Sequence, residues 1–328
     1  MPESRASEHD SVLRVQSNKD IRIALIGTGT IGLSFAAYHL SHLPNASQLT
    51  IYDTRPNLPQ YVEENLANFF TEVPAHAALS NIRIATSLQE AVEGAHIIQE
   101  SGPENLDFKK QLWAEVEKYA PEDSLLWSST SGIPASQQAQ GMKDKSRLLV
   151  VHPYNPPHIM PLLELVPSPD TAEEVIKRTQ EFWLERGRLP IHIKKEMTGF
   201  VANRLAFALL REAVHLVNEN VVSVAELDSI VESSMGPRWA VAGPFKSYHA
   251  GGGPAGLEGF FKNIGGTVQD CWSDSGKPNV GEGWEKSIFA QAQENYGIID
   301  TSERDRITRR LLEVLNEEKG RTAQNFKD

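Results

Sequence analysis

In the stretch LLVVHPYNPPHIMPLLELVP, residues 148–167, a titratable ring stands at the end of an apolar run that reads as a buried strand. His152 is followed by prolines at 153, 156, 157, 161 and 167, and by Glu164 inside a second apolar segment. Pro153 pushes His152 toward an extended backbone. A carboxylate in apolar company must find a partner or neutralise. A histidine within reach is such a partner, and the pairing would hold one imidazole tautomer and stabilise the imidazolium, which is acid–base chemistry. A core histidine with satisfied hydrogen bonds, a glutamate capping a turn and a stiff proline-rich loop fit the same residues. Both readings stay open on this stretch alone.

A second group of residues could hold phosphates. Gly27-Thr28-Gly29-Thr30-Ile31-Gly32 is a GxGxxG pattern that leaves an expected strand and opens an expected helix. The first glycine permits the tight turn, the second lets backbone N–H groups approach a pyrophosphate, and the third lets helix and strand pack closely. The helix N-terminus adds partial positive charge. Asp53 ends the next expected strand, where a carboxylate accepts hydrogen bonds from ribose hydroxyls and repels a 2′-phosphate. NAD is therefore expected over NADP, with Arg55 two residues on as the one feature pointing the other way.

These residues need strands to carry them. IRIALIG, LTIYD, HIIQES, SLLWSSTS, LLVVH and LPIHIK read as strands, and IRIATS (82–87) fits among them. Helical patterns such as IGLSFAAYHLSHL, VEENLANFF, LQEAVEGA and DFKKQLWAEVEKYA lie between. Alternation of this kind predicts an α/β, Rossmann-type doubly wound sheet. His152 then falls at the carboxyl end of a strand, the edge where open parallel sheets bind ligands. After about residue 197 the pattern becomes wholly helical, beginning with GFVANRLAFALLREAVHLVNEN. The expected organisation is a disordered tail over 1–20, a dinucleotide-binding domain over 21–196 and an all-α C-terminal domain over 197–328.

Composition excludes other classes. The 328 residues are 40% hydrophobic and 23% charged, ordinary for a globular protein, and 32 Lys+Arg against 43 Asp+Glu leave a net charge of −11. That balance disfavours nucleic acid and anionic membranes as partners. A single cysteine, Cys271, allows no internal disulfide and no thiolate metal cage, and is expected as a packing residue. No metal is expected. No apolar run is long enough for a membrane span and the N-terminus has no signal core, so the cytoplasm is the expected location.

The motifs GTGTIG, ESGPENLDFKK, SSTSGIPAS, HPYNPPHIMPLLELVP and KKEMTGFVANRL, in that order, resemble the 3-hydroxyacyl-CoA dehydrogenase superfamily over about residues 20–265. The resemblance is strongest to its small-substrate branch, which contains the lambda-crystallin/L-gulonate 3-dehydrogenase and L-carnitine dehydrogenase types. It implies that His152 is the general base, that Glu164 orients it, and that Ser131 and Asn203 hydrogen-bond the substrate near the reacting oxygen. It implies that Glu104 and Lys109 line the nicotinamide-ribose side, that the reaction is hydride transfer between a C3 carbinol and NAD, and that the protein is a homodimer. The prolines would hold His152 and Glu164 at a fixed separation.

Two departures bear on the substrate. The acyl-CoA enzymes contact the nucleotide end of CoA with lysine and serine after the second strand, whereas residues 56–79 contain no Lys or Arg. Arg238, in MGPRWAVAGPF, stands where the acyl-CoA enzymes are uncharged and could hold a free carboxylate in a bidentate pair. A small free 3-hydroxy acid of the L-carnitine or L-gulonate type is the expected substrate. Trp239, Phe245, Tyr248, Phe260 and Phe261 could offer π faces to a quaternary ammonium, or serve as core or interface. An acyl-CoA or specialised-metabolite intermediate, a crystallin-like structural role and an NAD-sensing regulator are the alternatives.

Overall fold

The computed structural model describes residues 20–70 and 81–325, with side chains through Lys319. Apart from Asp20, the expected tail 1–20 lies outside the described residues, as does part of the 56–79 stretch. Spatial contacts divide the chain into two compact units, Met1–Asn203 and Arg204–Asp328.

Among the described residues the first unit is built on eight strands: β1 (Ile23–Ile26), β2 (Leu49–Tyr52), β3 (Arg83–Ile84), β4 (Ile97–Glu100), β5 (Leu125–Ser128), β6 (Leu148–Pro153), β7 (Leu162–Pro167) and β8 (Leu189–His192). Their order in the sheet is β3-β2-β1-β4-β5-β6-β7-β8. Among the described residues six α-helices accompany them: α1 (Thr30–His42), α2 (Leu58–Asn65), α3 (Leu88–Val92), α4 (Leu106–Tyr119), α5 (Ala135–Gln138) and α6 (Glu173–Glu185). Chain order reverses between β1 and β4, and a crevice opens outside the carboxyl ends of strands at such a point.

The central strands are apolar over most of their length because both faces are covered, and the polar residues of β4, β5 and β6 fall toward their carboxyl ends. In β1, Ile23 and Leu25 join one core cluster while Ala24 and Ile26 join the other. On the first face, Trp183 of α6 packs 5.3 Å from Trp127 of β5, and the Trp127 indole N–H donates to Thr179 Oγ1 at 2.9 Å. Each large ring thus contributes buried area, and the Trp127 polar edge has a partner.

One element departs from the sequence reading. The sequence reading placed no strand directly after His152, with a stiff proline-rich loop as one of two open readings, but Leu162–Pro167 returns as strand β7, antiparallel to β6, while every other neighbouring pair in the sheet is parallel. The physical reason lies in LLELVP: Leu163 and Leu165 face one core cluster and Val166 the other, and Pro161 and Pro167 sit just before the strand and at its end, where a missing N–H is tolerated. IRIATS contributes only the two-residue edge strand β3, and the VEENLANFF helix begins earlier, at Leu58, with Pro59 in its first turn.

The second unit is helical: α7 (Ala202–Asn218, opening at the end of the first unit), α8 (Val224–Ser233), α9 (Met235–Val241), α10 (Pro244–Gly251), α11 (Gly256–Asp274), α12 (Glu285–Tyr296) and α13 (Thr301–Asn325). Ser223 caps α8, its hydroxyl accepting the Glu226 N–H while Glu226 reaches back to the Ser223 N–H. Cys271 is exposed on α11 rather than packed, a correction to the expectation drawn from its QDCWSD context. Among the described residues no helix is long and apolar enough to cross a membrane.

Candidate active site

The antiparallel return of β7 places His152 and Glu164 directly opposite each other in register. The His152 Nδ1–H donates to Glu164 Oε2 at 2.8 Å, and both side chains are buried. With Nδ1 carrying the proton, the other ring nitrogen, Nε2, is the one free to accept one. Glu164 Oε1 accepts the backbone N–H groups of Val201 at 2.9 Å and Ala202 at 3.1 Å, which stand at the start of α7. A helix N-terminus stabilises a carboxylate in this way. Burial pushes the Glu164 carboxyl up, yet the bonds from His152, Ala202 and Val201 outweigh burial and leave it below the ordinary carboxylate value. The turn before α7 is tight: Gly199 has φ 74° and Phe200 has φ 51°. Phe200 is buried with its ring 5.2 Å from the His152 imidazole. A bulky residue in the left-handed region is uncommon, and its packing against the imidazole offsets the strain.

Beside this pair, the turn after β5 carries Ser131. Glu104 Oε1 accepts from Thr130 Oγ1 at 2.6 Å and from the N–H groups of Ser131 at 3.1 Å and Gly132 at 3.0 Å. Asn203 Nδ2 donates to the Ser131 carbonyl at 3.0 Å. Ser131, Asn203 and Glu104 are therefore brought together, and the bonds of neighbouring Ala202 and Val201 connect them to Glu164. Lys109 is placed differently. It is 1% exposed, and its ammonium donates to both oxygens of the buried Glu100, at 2.7 and 2.9 Å, with Glu104 Oε2 farther off at 4.0 Å. Glu100 also accepts Ser128 Oγ–H at 2.8 Å and the Gly102 N–H at 2.7 Å. The carboxyl ends of β4 and β5 are thus held by one charged network.

At the β1–β4 reversal a cavity of about 510 Å³ is lined by Gly27, Thr28, Gly29, Asp53, Arg55 and Gly102, among others. Gly27 has φ 96°, and a Cβ there would stand 2.7 Å from the Ser101 carbonyl oxygen. A Cβ on Gly32 would stand 2.0 Å from the Gly27 carbonyl, so helix and turn touch. At Gly29 a Cβ would meet nothing within 4 Å, and no side chain caps α1, whose first residues are Thr30 and Ile31. Open space over uncapped helix N–H groups is what a pyrophosphate needs, so the residues present fit a dinucleotide. Asp53 Oδ2 accepts Thr28 N–H and Oγ–H, both at 2.7 Å, and Oδ1 accepts the Arg55 N–H at 3.0 Å.

Sequence reasoning did not single out Glu100, Thr130, Ser128 or Phe200. The spacing of Glu100 ahead of Lys109, bridging a strand end to a helix, was the signal that could have found the buried pair. Arg238 lies on α9 in the second unit. No group of three or more potential metal ligands occurs among the described residues. His39 is a useful contrast: fully buried on Gln99 at 2.7 Å, it is pushed down to about 3 by burial and stays neutral.

Comparison with known proteins identifies the family. Residues 22–197 match the 3-hydroxyacyl-CoA dehydrogenase NAD binding domain and residues 199–274 the C-terminal domain of the same family. An L-carnitine dehydrogenase of Pseudomonas aeruginosa is 33% identical over 92% of this chain and 96% of its own length. A 3-hydroxyacyl-CoA dehydrogenase of Gibberella moniliformis is 35% identical over 77% of this chain and 79% of its own. Among solved structures, a 5-formyl-3-hydroxy-2-methylpyridine 4-carboxylic acid 5-dehydrogenase, described as an NAD-dependent dismutase, is 27% identical with a TM-score of 0.76, covering 90% of this chain and 99% of its own. The chain belongs to the 3-hydroxyacyl-CoA dehydrogenase family, and is an NAD-dependent oxidoreductase acting on CH–OH.

Proposed function

We propose that the protein oxidises the C3 hydroxyl of a small free 3-hydroxy acid, of the L-carnitine or L-gulonate type, with His152 as the general base. The observation that carries this reading is the His152–Glu164 pair at the carboxyl edge of the sheet, its Nδ1 committed and its Nε2 left as acceptor. Gly27, Gly29, Thr30, Ile31 and Gly32 would hold the pyrophosphate of NAD, Asp53 the adenine ribose, and Glu104 the nicotinamide-ribose side, with Lys109 buried on Glu100 behind that side rather than lining it. Bound NAD supplies the acceptor for the carbinol hydride. His152 Nε2 takes the hydroxyl proton, and the imidazolium so formed faces the Glu164 carboxylate, which two backbone N–H groups keep ionised. Ser131, from the turn that Glu104 braces, and Asn203, from the first turn of α7, orient the reacting oxygen. In the direction of reduction, His152 returns the proton.

The free-acid substrate is supported by the L-carnitine dehydrogenases among the relatives, by the absence of Lys and Arg over residues 56–79, and by Arg238 as a carboxylate partner. An acyl-CoA substrate is the second reading, favoured by the Gibberella moniliformis relative. A second copy of the chain is the proposed partner, supported by Leu205, Phe207 and Phe245, exposed at 62%, 60% and 78%. The cytoplasm is the proposed location, in keeping with one free thiol and no disulfide.

NADH formation with L-carnitine, L-gulonate, 3-hydroxybutyrate and 3-hydroxybutyryl-CoA decides between the readings. A free acid should turn over best, and His152→Ala should lower kcat by about a hundred- to ten-thousand-fold while NAD still binds. Preferential turnover of the CoA ester would reject the free-acid assignment, and an undiminished His152→Ala rate would reject the base.

A further inference from the structure

On the face of the sheet that meets α1, three polar side chains run in a line from the helix to the end of β5. His39, Gln99 and Ser129 are 1%, 0% and 9% exposed. His39 Nε2 lies 2.7 Å from Gln99 Oε1, and Gln99 Nε2 donates to Ser129 Oγ at 3.2 Å. Burial keeps the imidazole neutral, so it carries one N–H. Its Nδ1 has no hydrogen-bond partner among the described residues. A buried N–H without an acceptor is rarer than an acceptor left short, so Nδ1 holds the lone pair and Nε2 the proton. That N–H needs an acceptor, which fixes Gln99 with Oε1 toward the ring and its amide N–H toward Ser129. Ser129 Oγ therefore accepts from Gln99, and its own hydrogen points elsewhere. It has no acceptor among the described residues. The flanking hydroxyls are committed, Ser128 to Glu100 and Thr130 to Glu104, and the Ser129 N–H is held by the Glu100 carbonyl at 2.8 Å.

We propose that this relay presets Ser129 as a hydrogen-bond donor to the nicotinamide half of the bound dinucleotide, with His39 and Gln99 as its positioning residues. The acceptor is an oxygen of that half, a ribose hydroxyl or the carboxamide carbonyl. The assignment rests on the cofactor placement proposed above, with the adenine ribose at Asp53 and the pyrophosphate at the start of α1. The strands lie in the order β2-β1-β4-β5, so a dinucleotide that starts at β2 and crosses β1 extends its other half over the ends of β4 and β5. Ser129 directly follows β5. A freely rotating hydroxyl accepts as readily as it donates. One whose lone pair is taken by a fixed amide meets the ligand already turned as a donor, with less ordering left to do on binding.

The test needs no substrate, so its outcome is separate from which hydroxy acid is oxidised. NADH is titrated by fluorescence into the full chain, with 5′-AMP and ADP-ribose as competitors, for wild type, Ser129→Ala, Ser129→Thr, Gln99→Met and the double variant Ser129→Ala/Gln99→Met. Ser129→Ala should weaken NADH about three- to tenfold and leave 5′-AMP unchanged, and Ser129→Thr, which keeps the hydroxyl, should recover most of the affinity. ADP-ribose weakened in parallel assigns the acceptor to the ribose, and ADP-ribose unchanged assigns it to the carboxamide. Gln99→Met should weaken NADH too, with the double variant no weaker than Ser129→Ala, because both changes remove the same donor. Losses that add overturn the relay. Unchanged NADH binding in Ser129→Ala, or an equal loss for 5′-AMP, overturns the donor. If 5′-AMP binding is indifferent to Asp53→Asn, the cofactor placement is what fails, and the assignment to the nicotinamide half falls with it. Thermal melting establishes folding. Should Gln99→Met fail to fold, His39→Leu, which frees the amide to turn over, is held to the same non-additivity with Ser129→Ala.

Discussion

At the scale of single residues, the site turns on how one carboxylate is kept charged while buried. Glu164 accepts three hydrogen bonds, one from the imidazole and two from the start of α7. Glu164→Gln keeps the volume but offers an amide N–H where His152 needs an acceptor. The ring then turns its lone pair inward, or loses its partner. We expect kcat to fall about a hundred- to ten-thousand-fold with little change in NADH affinity, measured by steady-state kinetics and cofactor titration. The same residue makes stability depend on pH. Its folded value is lowered from 4.5, so its contribution is present above 4.5 and is lost as pH falls through the lower folded value. His39 acts in the same direction over a higher window. Its folded value, about 3, lies below the ordinary 6.5, so the unfolded chain binds the proton first and stability declines as pH falls from 6.5 toward 3. Thermal melts should therefore show a falling midpoint below about pH 6.5, and His39→Gln should flatten the upper part of that decline. Arg238 is proposed for its chemistry alone, and Arg238→Met should raise KM for a free acid by about tenfold or more. An unchanged KM would reject that assignment.

At the scale of elements, the β6–β7 hairpin sets the His152–Glu164 pair and the Glu100–Lys109 pair ties β4 to α4. Cross-strand opposition puts His152 and Glu164 side by side without depending on a loop. The Glu100–Lys109 ion pair is fully buried, so breaking it is costly where replacing both partners is not. Lys109→Met should destabilise the chain by about 3–5 kcal/mol in a urea titration, because it leaves an uncompensated buried charge. The double variant Glu100→Gln/Lys109→Met should recover most of that loss. A single variant as stable as wild type would show that the pair is not isolated from solvent.

At the scale of the whole molecule, the second unit exposes more large apolar side chains than a monomer in water ordinarily presents. Leu205, Phe207, Leu210 and Phe245 are all more than half exposed. Exposed apolar side chains of this kind are what the proposed isologous dimer would cover with a second copy of the chain. Analytical ultracentrifugation should give twice the chain mass, and Phe207→Glu should shift the equilibrium toward monomer while leaving the far-ultraviolet circular dichroism intact. A monomer at micromolar concentration would remove the dimer from the proposal.

Local patterns carried the dinucleotide half of this protein. A strand of four apolar residues, a glycine turn and a helix are contiguous in the chain, and burial on both sheet faces writes itself as an uninterrupted apolar run. The acid at the end of β2 and the histidine at the end of β6 were readable for the same reason, since a strand's end is a local feature. The partner of His152 could be named from its apolar surroundings, but not its geometry. Leu162–Pro167 is short and bracketed by prolines, and it becomes a strand only because β6 and β8 lie ready to pair with it. Glu104 with the Ser131 turn and Glu164 with the start of α7 are bonds between elements distant in sequence. Long-range pairing leaves no periodicity, so it was the packed sheet that chose which charges would meet.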